Sequence, residues 1–343
     1  MMQKIAYAHD KCIDSQLLVF NVVALFEHRQ LDIDTLLRGT QIFKQDLQQV
    51  EYHISPLQLG KLIDNALRMW PGNDLAFLLG QQWLPSQSGH LTNGLLCCKH
   101  LLQMQVFWQR HHWHCQPWLQ GWRWRSGQSN HLLLQLDLGC HRHRRFFIEL
   151  TLSSLVSSYK RLSRHQWQGQ FALPFPKPNS VDQYYKYLGE SLLFDQPVCV
   201  VSYDSKMNQQ QFEMANRQGY LQANHLISQK QSQSKYQIGL PGAIRRLLLE
   251  SCDNQYSLPA VAMQLSLSPA TLKRRLKEYQ LTFQQLQDEA NLQKAIYLLA
   301  ISGENNLNVA KRLNFADGNN FRRSFKRWTG QLPSQFKYWL AQN

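Results

Sequence analysis

LPAVAMQLSLSPATLKRRLKEY, residues 258–279, and LNVAKRLNFADGNNFRRSFKRW, residues 307–328, are two copies of one pattern. In the first, Ser257 is placed to cap a short helix carrying Leu258, Val261, Ala262 and Leu265. A turn at Ser266-Leu267 follows, and Ser268-Pro269 supplies the cap and first-turn proline of a second helix. With 3.6 residues per turn, Leu272, Leu276 and Tyr279 share one face of that helix. Ala270, Lys273, Arg274 and Lys277 lie opposite, with Thr271 beside them in the first turn. The second copy has Leu307, Val309, Ala310 and Leu313 on its supporting helix and Asp317 as the next cap. Its seam of Phe321, Phe325 and Trp328 falls 49 residues after the first seam. Asn319, Arg322, Arg323 and Lys326 lie opposite, with Asn320 at the edge.

An apolar seam against a scaffold and a basic outer face suit a helix that enters the major groove of double-stranded DNA. There Arg and Lys can reach guanine O6 and N7 or a phosphate, and Asn can pair with adenine. A plain helical bundle with solvated basic faces would account for one copy. Two copies with Lys273, Arg274 and Lys277 repeated as Arg322, Arg323 and Lys326 argue against it. Between them, Phe283, Leu286, Ala290, Ile296 and Leu299 have helical spacing. The 20 residues Phe283–Ser302 would span about 30 Å as a helix. Successive major-groove faces lie about 34–36 Å apart, so one chain could place both outer faces on one side of a duplex.

The chain has 343 residues and a formal net charge of +14. Residues 243–343 hold 14 Lys and Arg against 7 Asp and Glu, half of the excess. A basic surface favours nucleic acid or an anionic membrane. Leu17–Phe26 is apolar for ten residues with one Asn, short of the roughly 20 that a membrane span needs, so it predicts a buried helix. The start, MMQKIAYAHDKCIDSQ, lacks a basic leader feeding an apolar core. Seven cysteines in a chain of this kind read as reduced thiols, and the expected location is cytoplasmic.

Upstream, Ser55-Pro56 caps a helix with Leu59, Leu62, Ile63, Ala66 and Leu67 on one stripe, ended by Pro71-Gly72. Leu95–Trp113 reads as another helical run. Trp118–Arg125, the turn SGQSN and the alternating Leu132, Leu134, Leu136 and Leu138 predict a β-hairpin. Helical spacing returns from Ile148 to Leu162, and short strands are expected around Phe171–Leu173 and Val198–Val201. SQKQSQSKYQ, residues 228–237, is polar enough to predict a linker, with a solvated helix end as the alternative. The expected fold class is α+β: a mixed α/β regulatory domain at residues 1–225, a linker at 226–240, and an all-α domain with two helix-turn-helix motifs at 241–343.

The C-terminal hundred residues resemble the AraC/XylS family of bacterial transcription regulators. Ala262, Leu265, the Ser268–Leu276 run, Phe283, Ala295, Leu299, Ala310, Leu313, Phe315, Phe321, Arg323, Phe325, Lys326, Trp328, Gly330 and Pro333 carry the resemblance. It implies a sequence-specific transcription regulator, by habit an activator, with RNA polymerase as a partner. Ala270, Lys273 and Arg274 on the first helix, and Asn319, Asn320, Arg322 and Arg323 on the second, would face bases. Departures are Asn291 and Lys337 where the family has Arg, and Asn314 where it has Gly; Asn tolerates a left-handed backbone. Residues 15–205 are similar, more distantly, to the arabinose-binding-type N-terminal domain of one branch. LLRGTQIF (36–43), ISPLQLGKLIDNAL (54–67), DLAFLLGQQW (74–83) and residues 171–201 follow its order. That resemblance implies effector sensing or dimerisation, with a homodimer and a small-molecule or lipid-like effector as the expected forms of control.

Other chemistry is weaker. Cys97, Cys98 and His100, the HHWHC run (His111–Cys115) and CHRH (Cys140–His143) contain metal-ligand types, which leaves a metal- or redox-sensing regulator as the alternative. None has paired CxxC spacing, and no metal or cofactor is expected. Cys140-His141-Arg142 is similar to the nucleophilic triplet of AraC-type alkylation-repair proteins, but Gly139 stands where they have Pro, and it precedes the basic half. A DNA-tethered enzyme would need a catalytic constellation; GxSxG, a P-loop and HExxH are all missing, so no enzyme is expected. Trp113, Trp118, Trp122 and Trp124 could line a cavity or pack a core.

Overall fold

The computed structural model of the chain describes residues 4–49, 51–84, 89–139, 141–250 and 257–342, the last five without their side chains. Cys140, and residues 86–88 before His90, lie outside the described residues.

A five-stranded sheet stands at the centre. Its order is Leu119–Ser126, Ser129–Leu136, Cys199–Asp204, Gln170–Ala172 and Leu192–Leu193. The first two strands form the expected hairpin, with Ser126 opposite Ser129 and Leu119 opposite Leu136. Gly127, at φ 59°, makes the tight two-residue turn possible. Neighbours are antiparallel except the last pair.

Side chains alternate between the two faces of a strand, and here both faces are buried. Leu132, Leu134, Phe171, Cys199 and Val201 belong to the large core of the N-terminal half. That core includes the helices Val19–His28, Pro56–Met69, Leu75–Gln81 and Arg144–Ser163. Trp124, Leu133, Ala172, Val198 and Val200, one position out of phase, enter a second core with Leu292, Ala295, Ile296 and Leu299 of the linking helix. The same core takes in Val309, Ala310, Leu313, Phe321 and Phe325 of the second helix-turn-helix.

A third core holds the first copy: Val261, Ala262, Leu272, Leu276 and Tyr279 pack with Ala8 and with Leu240, Ile244 and Leu248 of the helix Leu240–Glu250. Just before that helix, Ile238–Gly239 runs parallel to Ile5–Ala6, so the N-terminal segment braces the entry to the basic half. The linking helix covers Phe283–Ile296 and continues as a π-helical turn, Tyr297–Ile301.

Three expectations are corrected. The polar stretch at 228–237 is a helix end over most of its length: Arg217–Gln233 is one helix, capped by Asn216 and anchored by buried Ala223, Asn224 and Ile227. Lys4 Nζ donates to the carbonyls of Ser232 and Ser234 at 3.2 and 2.7 Å, which satisfies its C-terminal end. The Leu95–Trp113 run is broken: His90–Leu96 and Leu101–Arg110 are separate, because His100 is extended and its Nδ1 accepts from Gln103 N to start the second. Leu307 is 54% exposed at the first turn of its helix, so the supporting seam is Val309, Ala310 and Leu313 alone.

Leu133→Ala removes a residue that touches only the second core. It is expected to lower stability by about 2–4 kcal/mol, as for buried leucines in general. Denaturant unfolding of the full chain measures this; a loss of under about 1 kcal/mol would mean that the sheet and the linking helix do not share a packed core.

Candidate nucleic-acid interface

Each recognition helix is set by a cap, a left-handed turn residue and a buried seam. Ser257 accepts from Ala260 N and Ser268 accepts from Thr271 N in the first copy. Asn305 and Asp317 do the same in the second, with Asp317 accepting from both Asn319 N and Asn320 N at 2.7 Å. Ser266 (φ 55°) and Asn314 (φ 57°) occupy equivalent places after the supporting helices Leu258–Gln264 and Asn306–Arg312. Asn314 thus supplies the left-handed conformation for which it was read. The extra residue of the second turn falls after it, since Asp317 starts the next helix where Ser268 starts the first one residue sooner.

The seams are buried: Leu272 and Leu276 at 0% and 1%, Phe321 and Phe325 at 0%. The recognition helices, Pro269–Glu278 and Gly318–Thr329, therefore present their other faces to solvent. Ala270, Lys273, Arg274, Lys277, Asn319, Arg322, Arg323 and Lys326 are all exposed. None of the six cations in that group is in an ion pair with a described carboxylate. Thr271 and Asn320 are half-buried and already engaged. The Thr271 hydroxyl is 2.8 Å from Ser268 Oγ, and Asn320 Nδ2 donates to Asp317 Oδ2 at 3.3 Å.

The other basic residues of these helices are used internally. The Arg275 guanidinium lies 3.6 Å from the centre of the Tyr7 ring, a cation–π contact with the N-terminal segment. Arg327 Nη2 pairs with Asp288 of the linking helix at 2.9 Å. Division of labour by face is therefore complete: cations on the seam side hold the helices, and those opposite remain available.

The N-terminal half also grips the first recognition helix. Tyr279 packs its ring on Gly139, where a Cβ would come within 2.1 Å of the ring and φ is +100°. Arg245 Nη2 pairs with Glu289 of the linking helix at 2.6 Å, and His141 Nε2 stands 3.9 Å from the same carboxylate. Burial pushes the Glu289 carboxyl up, but Arg245 and His141 outweigh it and hold the group below its usual range. Burial pushes His141 down to about 4.

The Cys and His clusters do not converge. His111 bonds to Asn224 and Gln231, His112 to Asp137, and His143 to Asp64. Cys98 donates to the Gly94 carbonyl, and burial pushes its thiol far up. Among the described residues no group of three or more His, Cys, Asp or Glu could hold a metal ion. Among them, too, no helix is long and apolar enough to cross a membrane. Of the tryptophans, Trp118 stacks on Phe147 in the large core and Trp124 stacks on His131, both buried. Trp113 and Trp122 border two separate cavities.

Residues 31–212 match the profile described as "Arabinose-binding domain of AraC transcription regulator, N-term", and residues 261–338 match "Helix-turn-helix domain". The chain belongs to the AraC family of transcription regulators. It is 29% identical over 163 residues to the "Ornithine utilization regulator" of Pseudomonas aeruginosa, 48% of each chain. It is 35% identical over 92 residues to the "HTH-type transcriptional regulator VqsM" of the same organism, 26% of this chain and 28% of that one. The chain thus spans about half, or less, of the length of these curated relatives. Among solved structures, "transcriptional regulator CdpR from Pseudomonas aeruginosa" aligns over 93% of this chain and 97% of that one, at 16% identity and a TM-score of 0.46.

His141, at about 4 when folded against an ordinary 6.5, stays neutral in the native state. The unfolded chain binds the extra proton first, so this stability is present above about pH 6.5 and is lost as pH falls toward 4. Glu289, held low, acts in the same direction at the acid end. Melting temperature is therefore expected to fall between pH 7 and 4.5, and less so in His141→Gln; identical pH profiles for the two proteins would contradict the assignment.

Proposed function

We propose that the chain is a sequence-specific regulator of transcription that places its two recognition helices in successive major-groove segments of double-stranded DNA. Lys273, Arg274 and Lys277, with Ala270 and Thr271, read through the first helix. Arg322, Arg323 and Lys326, with Asn319 and Asn320, read through the second. The observation that carries this is the pair of helices with buried seams and six outward cations free of ion pairs. Phosphate neutralisation would supply much of the affinity, and the outward polar groups the choice of sequence. Residues 1–225 would regulate, through an effector or a homodimer, and residues 241–343 would read, joined through 226–240. Activation through RNA polymerase belongs to the proposal as the habit of the family.

The two heads differ in what they offer. Thr271 and Asn320 are tied to their own helix caps, so Arg274 and Asn319 are the exposed side chains best placed for base edges. Arg274→Ala is expected to lower affinity for the selected site by about 1–3 kcal/mol and to relax preference at one position. DNA selected from a random pool by the full chain, followed by titration of both proteins, tests this. An equal loss on every sequence would reduce Arg274 to a phosphate contact, and an affinity indifferent to salt would remove the electrostatic basis of the proposal.

A further inference from the structure

The largest cavity of the molecule lies between the central sheet and the DNA-reading half. It measures about 840 Å³ and is bordered by the hairpin strand at Trp122, by the helix Leu240–Glu250 at Arg245, by the linking helix at Gln293, by the π-helical turn at Tyr297, and by Leu313 of the second helix-turn-helix. That volume lies within the roughly 300–1,000 Å³ of small-molecule sites.

Its walls have unmet chemistry. Arg245 is 1% exposed, and only Nη2 is used, toward Glu289. Its Nε and Nη1 are buried with no hydrogen-bond partner. Gln293 is 8% exposed, and its Oε1 has none either. Buried donors and acceptors are nearly always paired, so such a concentration in one wall marks a place where something else completes the bonds. Charge at the border is unbalanced. Arg245, Arg246, Lys294 and Arg312 face one carboxylate, Glu250, which already pairs with Arg246 at 2.8 Å. Trp122 and the 46%-exposed Tyr297, with ring centroids 6.1 Å apart, add a flat apolar surface.

We propose that this cavity binds an organic carboxylate with a flat body and a hydroxyl or amine. The carboxylate is taken up by the unused face of Arg245, the body lies along Trp122 and Tyr297, and the donor group satisfies Gln293. A planar guanidinium with two free donors matches a carboxylate geometrically, which a neutral polar group does not. Such a ligand touches the sheet, the linking helix and the second head at once. The assignment rests on the reading of the chain as a regulated one, because only then does a ligand at this joint have a consequence for DNA.

Calorimetry of the full chain with 6-hydroxy-2-naphthoate and with its neutral isostere, 6-hydroxy-2-naphthamide, tests the site without DNA. The carboxylate is expected to bind at least tenfold more tightly than the amide. Gln293→Glu, which puts a competing carboxylate in the cavity, is expected to abolish that preference. Tyr297→Ala, at an exposed position that leaves the cores untouched, is expected to weaken both probes together. No binding of the carboxylate, equal binding of the amide, or unchanged affinity in both variants would overturn the proposal. Selective binding by a chain that fails to recognise any DNA would instead overturn the regulator reading and leave the cavity assignment standing.

Discussion

The structure depends on one constraint: the central sheet is apolar on both faces, and the DNA-reading half supplies the cover for one of them. Leu133 and Val200 are opposite each other in register, and both point away from the N-terminal core. Each fully buried aliphatic side chain contributes roughly 1.5–3 kcal/mol, while a whole domain is stable by only about 5–15 kcal/mol. Exposing Leu133, Val198 and Val200 together with Leu292, Ile296 and Leu299 would therefore consume a large part of the total. The linking helix cannot leave the sheet cheaply. The ion pairs around Glu289 and Asp288 are partly exposed and contribute less; they orient what packing already holds.

This makes the two reading heads neighbours of different parts of one regulatory body. The second head shares a core with the sheet. The first is held through Tyr279 on Gly139, Arg275 on Tyr7, and the helix Leu240–Glu250. Anything that shifts the sheet relative to the N-terminal segment shifts one head relative to the other. The π-helical turn at Tyr297–Ile301 sits between them, at the contact of the hairpin with the linking helix. Irregular helical turns of this kind are frequent at functional sites.

Much of the reading half was legible in the sequence, because its signals are local. Ser257, Ser268 and Asp317 announce the helix starts, and the 49-residue repeat of the seams fixes which residues face outward. The sharing of the sheet was harder to see. Alternation at Leu132, Leu134 and Leu136 suggests one buried face, yet the unbroken runs LLLQL and VCVV carried the contrary signal that both faces are covered. What covers them is a long-range contact, and no local pattern specifies it. The same limit explains residues 228–233, whose polar composition reads as a linker but whose backbone is held by Ile227 on one side and Lys4 on the other. Arg245 was missed as a site residue because a single arginine in an apolar helix has no motif; only its burial and its unused donors single it out.

If both heads are held by one packed body, their separation is fixed, and the duplex must match it. The direct measurement is the affinity of the full chain for DNA carrying the two selected half-sites at spacings varied one base pair at a time. The account predicts a sharp optimum near one helical turn, about 10–10.5 base pairs, with a steep loss on either side. Equal affinity across all spacings would show that the heads move independently and would contradict it.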